Sequence, residues 1–281
     1  MYNKTLIASM VFLLIGSAAF AQDNPAPAQQ SLTYADIASL SDRSSLVVHA
    51  EIRRQIEVEP ERAPGLAPGF ARLYIEARTL ALISGRVSLG ESLRYLVDVP
   101  RDERGKVPKL KKSEVLLFAK PVPGRPGEIQ LVGSQGQFTY SPVLVSRVRP
   151  ILSELVDPNA PPVIAGVRDA LSVEGNLAGE SETQIFLDTT TGSPVSLTVL
   201  RRPGRPIVWG VSWGEIIDQA ARAPEPQTIE WYRLACSLPS SLPSGANLSR
   251  EPRARTLAQQ DYAVVMAQLG PCERTLNAGA G

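Results

Sequence analysis

Phe70-Ala71-Arg72-Leu73-Tyr74-Ile75-Glu76-Ala77-Arg78-Thr79-Leu80-Ala81-Leu82-Ile83 is the stretch whose reading decides the fold class of this chain. Its apolar and polar positions alternate, the period of a β-strand with one face on a core and the other on water. Leu73, Ile75, Ala77, Thr79, Ala81 and Ile83 are expected to point inward, with Tyr74, Glu76 and Arg78 between them on the opposite face. Upstream, the prolines and glycines between Pro60 and Gly69 make a loop, and Ser45-Leu46-Val47-Val48-His49-Ala50-Glu51-Ile52 reads as an earlier strand. A short helix from Tyr34 to Leu40, with Thr33 as its N-cap, precedes that strand. Downstream, strands are expected at Leu93 to Val99, Glu114 to Ala119, Glu128 to Val132 and Gln137 to Tyr140, separated by turns rich in proline, glycine and charge. Short strands at this spacing, joined by loops of unequal length, predict a small closed or partly open β-barrel over residues 33–145.

The order Ala35-Asp36-Ile37, then Ser45 to Ile52, then Ser113-Glu114-Val115-Leu116-Leu117-Phe118-Ala119 with Gly133-Ser134-Gln135-Gly136-Gln137-Phe138, resembles exported bacterial domains with an oligonucleotide-binding-like (OB-like) or netrin-like barrel. The resemblance covers residues 33–141 and rests on core-strand sequences. It implies a barrel and no single activity.

The second half reads differently. Pro150 to Leu155 is a helical turn, and Asp157-Pro158-Asn159-Ala160-Pro161-Pro162 is a hinge. Strands at Gln184 to Leu187, Val195 to Leu200 and Ile207 to Trp213 form an antiparallel meander, turning at Thr190-Thr191-Gly192-Ser193 and Arg202-Pro203-Gly204-Arg205. Helices follow from Glu215 to Ala221, from a Thr228 cap through Leu234, and from Glu251 to Leu269, the last with Leu257, Tyr262, Val265 and Leu269 near helical spacing. The expected class is α+β: a barrel-like domain over 33–145, and a β-meander packed with disulfide-linked helices over 146–276.

Both ends carry their own signals. Lys4, the apolar run from Leu6 to Phe20, and Ala19-Phe20-Ala21 form a signal peptide over residues 1–21, cut after Ala21. Residues 22–32 then read as a flexible linker and 277–281 as a disordered tail. The protein is expected in the periplasm or outside the cell, with no transmembrane segment after cleavage. In an oxidising compartment its two cysteines, Cys236 and Cys272, are expected to pair. That bridge closes a loop of about 36 residues and contributes about 4 kcal/mol by chain entropy. Lys4 leaves with the signal, so the 28 acidic residues meet an equal number of basic ones. A balanced chain has no bulk charge to drive binding, and no nucleic-acid partner is expected.

Gly210-Val211-Ser212-Trp213-Gly214 matches a nucleophile elbow, but that fold needs a histidine after the serine, and the one histidine is His49. Ser212 is therefore read as a strand residue, and His49 as a histidine packed against a core or a sheet rim. One histidine and two paired cysteines supply no usual zinc set. Asp98, Asp102 and Glu103, or Glu180 and Glu182, read as solvated turns rather than a calcium site. No phosphate loop or dinucleotide fingerprint occurs, and no cofactor is expected.

Four positions apart on a strand, Trp209 and Trp213 share a face, either as core or as a stacking platform for a sugar beside Glu215 and Asp218. Those two carboxylates, three apart at a helix start, point in similar directions and do not form a glycosidase pair. The remaining contact candidates are Lys106, Lys109, Lys111 and Lys112 in one loop and Arg201, Arg202 and Arg205 in another. Each loop is either a meeting point for phosphates, carboxylates or an acidic partner, or a solvated guard for a strand edge. The reading is a non-enzymatic exported protein that binds or assembles with a protein or glycan partner of the bacterial envelope. The alternatives are a histidine-independent hydrolase acting on an envelope glycan and a purely structural scaffold.

Overall fold

Thr33 starts the first element as its spacing to Asp36 requires. Its hydroxyl accepts the Asp36 N–H at 3.1 Å, and the Asp36 carboxylate accepts the Thr33 N–H at 3.0 Å, a reciprocal capping box that opens α1, Tyr34–Arg43. This computed structural model describes residues 32–133, 136–214 and 222–276. The expected signal peptide, the expected linker up to Ser31, the helix expected over 215–221 and the expected tail from 277 lie outside the described residues. Leu32, the last residue of the expected linker, is instead buried in the core.

After α1 come six strands: β1 Leu46–Glu57, β2 Phe70–Gly85, β3 Ser92–Pro100, β4 Glu114–Pro121, β5 Ile129–Leu131 and β6 Gln137–Thr139. They form one sheet of order β3-β2-β1-β4-β5, with β6 also on β4. In β2 the alternation holds for Ala71, Leu73, Ile75 and Ala77, all buried. Thr79, Ala81 and Ile83 are only half-buried, because bulges in β1 at Val47/Val48 and His49/Ala50 break the pairing phase opposite them. The expected barrel is closed or partly open, and among the described residues no closed barrel is found: β3 meets the residue just before β5 at a parallel bridge, Arg94 with Glu128, and Arg94 N–H donates to Gly127 C=O at 2.8 Å.

The two faces of this sheet serve separate cores. One encloses Ile52, Leu73, Ile75, Leu93, Tyr95 and Leu117 among others. The other turns Val47, Leu116 and Phe118 toward a larger cluster that includes residues of α1 and of α2, Pro142–Leu155. Only a helical turn at Pro150 was legible, but the helix begins eight residues earlier, where Ser141 Oγ accepts the Leu144 N–H and Pro142 occupies the first turn. Val145, Val148, Ile151 and Leu152 hold it down by one face, so packing outweighs the internal Pro150. The domain boundary expected between 145 and 146 falls inside this helix.

The meander is present and has four strands: β7 Ile164–Glu174, β8 Ser181–Thr189, β9 Val195–Arg201 and β10 Val208–Ser212, in the order β10-β9-β8-β7. Thr228 caps α3, Ile229–Ala235, through its hydroxyl on the Trp231 N–H. α4, Pro252–Leu269, lays Ala258, Tyr262 and Val265 on β7 and β8. Cys236 and Cys272 form a disulfide just beyond the ends of α3 and α4. The class is thus α+β with two antiparallel sheets. Among the described residues, no helix is long and apolar enough to cross a membrane.

Candidate functional site

Strand alternation that buries Leu73 and Ile75 necessarily puts Arg72 and Tyr74 on the outer face. The β2–β3 register sets Arg72 opposite Asp98, Tyr74 opposite Leu96 and Glu76 opposite Arg94. Arg72 makes a two-pronged contact with Asp98, Nε to Oδ1 at 2.7 Å and Nη2 to Oδ2 at 2.8 Å, and its Nη1 donates to Pro64 C=O at 3.1 Å. The hydrogen bonds it donates to Asp98 hold the Arg72 guanidinium above its ordinary pKa, against the opposing effect of burial. Leu96 remains half-exposed in the middle of this face.

A groove of about 780 Å³ runs over these residues to the seam with β5. The loop between β4 and β5 supplies Arg125 and Glu128, and the last turn of α1 supplies Arg43. Glu128 lies 3.3 Å from Arg125 and 3.9 Å from Arg94. Four guanidinium groups therefore line the groove against the carboxylates of Asp98 and Glu128, which leaves a positive surplus. Such forks, beside the Tyr74 ring and the Leu96 side chain, suit an extended ligand bearing carboxylates or phosphates. Of these residues the sequence singles out only Asp98, there read as part of a solvated turn; it lies instead in β3, paired with Arg72. Each is an ordinary outward position, and only strand register and the seam bring them together.

The residues singled out beforehand disperse. Trp209 is a core side chain, 6% exposed, with Nε1–H donating to Gln268 Oε1 at 2.8 Å, so it presents no face for a sugar to stack on. Trp213 packs against the same core with its Nε1 buried. Glu215 and Asp218 lie outside the described residues. Arg201, expected to meet a partner, turns inward and pairs with Asp261, Nε to Oδ1 at 2.5 Å. Asp261 is fully buried and also accepts from Thr183 Oγ1 at 2.5 Å, so Arg201 balances a charge that α4 carries into the core. Arg202 and Arg205 are exposed in the β9–β10 turn. Lys106, Lys109, Lys111 and Lys112 are exposed in the β3–β4 loop.

Ser212 ends β10 and is 5% exposed, whereas His49 belongs to β1 of the other sheet. The His49 ring stacks on Tyr140 with centroids 3.6 Å apart, and its Nε2 meets Glu114 Oε2 at 2.8 Å. Asp98 is taken up by Arg72, and Asp102 Oδ1 accepts the N–H groups of Arg104 and Lys106 in its own turn. Among the described residues, no group of three or more histidine, cysteine or carboxylate side chains is disposed to hold a metal. No protein-family model matches the chain, and no curated protein matches it.

Proposed function

We propose that this is an exported, non-enzymatic binding protein of the bacterial envelope, and that it holds an anionic glycan in the arginine-lined groove of the first sheet. The observation that carries the reading is the groove's position and charge: the outer face of β2 and β3, roofed by the β4–β5 loop, with Arg43, Arg72, Arg94 and Arg125 around Tyr74 and Leu96. The strand order β3-β2-β1-β4-β5 with a β3/β5 seam supports the OB-like reading of this sheet. In OB folds the β2–β3 face and the β4–β5 loop are where oligosaccharides and oligonucleotides bind. Balanced overall charge argues for a glycan over a nucleic acid. The amino-terminal signal supports export to the periplasm or beyond.

The test is calorimetric titration of the purified protein with oligosaccharides that carry carboxylates and with their neutral, carboxyl-reduced counterparts. The acidic oligosaccharide should bind, the neutral one should bind at least ~10-fold more weakly, and Arg94→Ala with Arg125→Ala should weaken acidic binding by ~10-fold or more. Equal affinity for both sugars, or an unchanged affinity in the double variant, would remove the groove from the function.

A further inference from the structure

The cations of this protein are of two kinds and are kept apart. Arginine and His49 make the ion pairs found among the described residues, and Lys106, Lys109, Lys111 and Lys112 make none of them. All four ammonium groups stand in the single loop between β3 and β4. Of the acids of that neighbourhood, Asp102 caps its own turn and Glu57 holds Arg101, while Glu103 is exposed in the same loop; the four lysines still outnumber it. Overall neutrality thus conceals a local excess of positive charge.

The loop is anchored to the sheet. Gln55 clamps it from β1, with Oε1 accepting the Leu110 N–H at 2.6 Å and Nε2 donating to Pro108 C=O at 3.0 Å. Lys112 takes a left-handed backbone (φ 72°) and donates its N–H to Ile52 C=O at 2.7 Å. Val107 and Leu110 pack against the inner core. A backbone pinned at this many points loses little entropy when its side chains meet a partner.

Apolar surface lies at the same end of the sheet. Arg101 N–H donates to Gly69 C=O at 2.9 Å, which ties the lysine loop to the start of β2, where Phe70 is 38% exposed. Ile56, at the end of β1, is 41% exposed. Glu59, Glu61 and Arg62 occupy the other loop of this end, and the lysines outnumber these acids.

We infer that this end of the molecule docks on an anionic lipid surface. The lysine ammonium groups meet headgroup phosphates, and Ile56 and Phe70 sit at the boundary with the acyl chains. Ammonium groups on flexible stems suit the disordered phosphates of a bilayer, whereas a folded acidic protein would be met better by the fixed fork of arginine. Unpaired lysines beside exposed apolar side chains are the combination that interfacial binding uses. Ile56 pairs with Tyr74 across β1 and β2, so this surface borders the arginine groove, but none of its lysines lines that groove, and the inference does not depend on the glycan reading.

The experiment is co-sedimentation of the full-length purified protein with vesicles of phosphatidylcholine alone and of phosphatidylcholine with phosphatidylglycerol, at low and high salt. Binding to the anionic vesicles should exceed binding to the neutral ones by ~10-fold or more, weaken with salt, and disappear in Lys109→Glu/Lys111→Glu/Lys112→Glu. The milder Lys109→Gln/Lys111→Gln/Lys112→Gln, with melting curves for both variants, separates loss of charge from loss of fold. Equal binding to both vesicles, or retained binding in a folded glutamine variant, would overturn the inference. Displacement by inorganic phosphate at constant ionic strength would also overturn it, by showing a site for a free anion in place of a surface.

Discussion

At the scale of single residues, Asp36 shows how much one side chain can join. It completes the capping box of α1, and it also accepts the Thr275 N–H at 3.0 Å, the Thr275 hydroxyl at 2.7 Å and the Leu276 N–H at 3.2 Å. Burial favours its protonated form, but the hydrogen bonds from Thr275 and Thr33 outweigh that and hold the carboxyl below its ordinary range. A folded-state pKa below the unfolded one means that the stabilisation is complete above the unfolded value, near pH 4, and is lost as pH falls through the folded value. Denaturant melts between pH 2 and 6 should show a loss of stability on the acid side that is much reduced in Asp36→Asn. At neutral pH the same variant should be less stable by about 2 kcal/mol, since it exchanges charged acceptors for a neutral amide. The capping role of Thr33 was legible because its partner is three residues away. The grip on Thr275 was not, because no local pattern links positions 36 and 275. Arg201 makes the same point: it shares a basic turn with Arg202 and Arg205, and only the approach of Asp261 from α4 sets it apart.

At the scale of elements, boundaries followed local chemistry wherever that chemistry was sufficient. α3 starts at the threonine cap expected of it, α4 starts one residue from its expected origin, and β3 and β4 fall within two residues of their sequence signals. β7 escaped notice because Gly166 and two irregularities, at Ile164/Gly166 and Val167/Asp169, blur its alternation; pairing with β8 holds it extended all the same. The disulfide between the ends of α3 and α4 has a testable weight. Replacing both cysteines by alanine should lower unfolding stability by about 4 kcal/mol, read as a shift in the denaturant midpoint. A loss below about 1 kcal/mol would mean that the packing of Trp231, Tyr262 and Leu269 constrains the two helices without the bridge.

At the scale of the whole molecule, one apolar cluster crosses the boundary that composition implied between two halves. Val47, Leu116 and Phe118 of the first sheet share it with Val148 and Ile151 of α2, Ile185 and Leu197 of the second sheet, and Tyr262 of α4. The bidentate contact of Arg233 in α3 with Asp42 in α1, at 2.6 and 2.9 Å, ties the same parts together. Calorimetry should therefore give one transition with equal van 't Hoff and calorimetric enthalpies, and a fragment of residues 33–145 should fail to fold cooperatively. Two resolved transitions, or a cooperatively folded fragment, would instead support a division into independent domains. What the sequence alone determined was the α+β class, most of the strands and helices, and the pairing of Cys236 with Cys272, because alternation, caps and cysteine count act over short distances or through scarcity of partners. The tertiary structure decided the shared core, the inward turn of Arg201 and Trp209, and the arginine groove at the β3/β5 seam, because each depends on register and on which surfaces meet, and those are set by contacts between residues far apart in the chain.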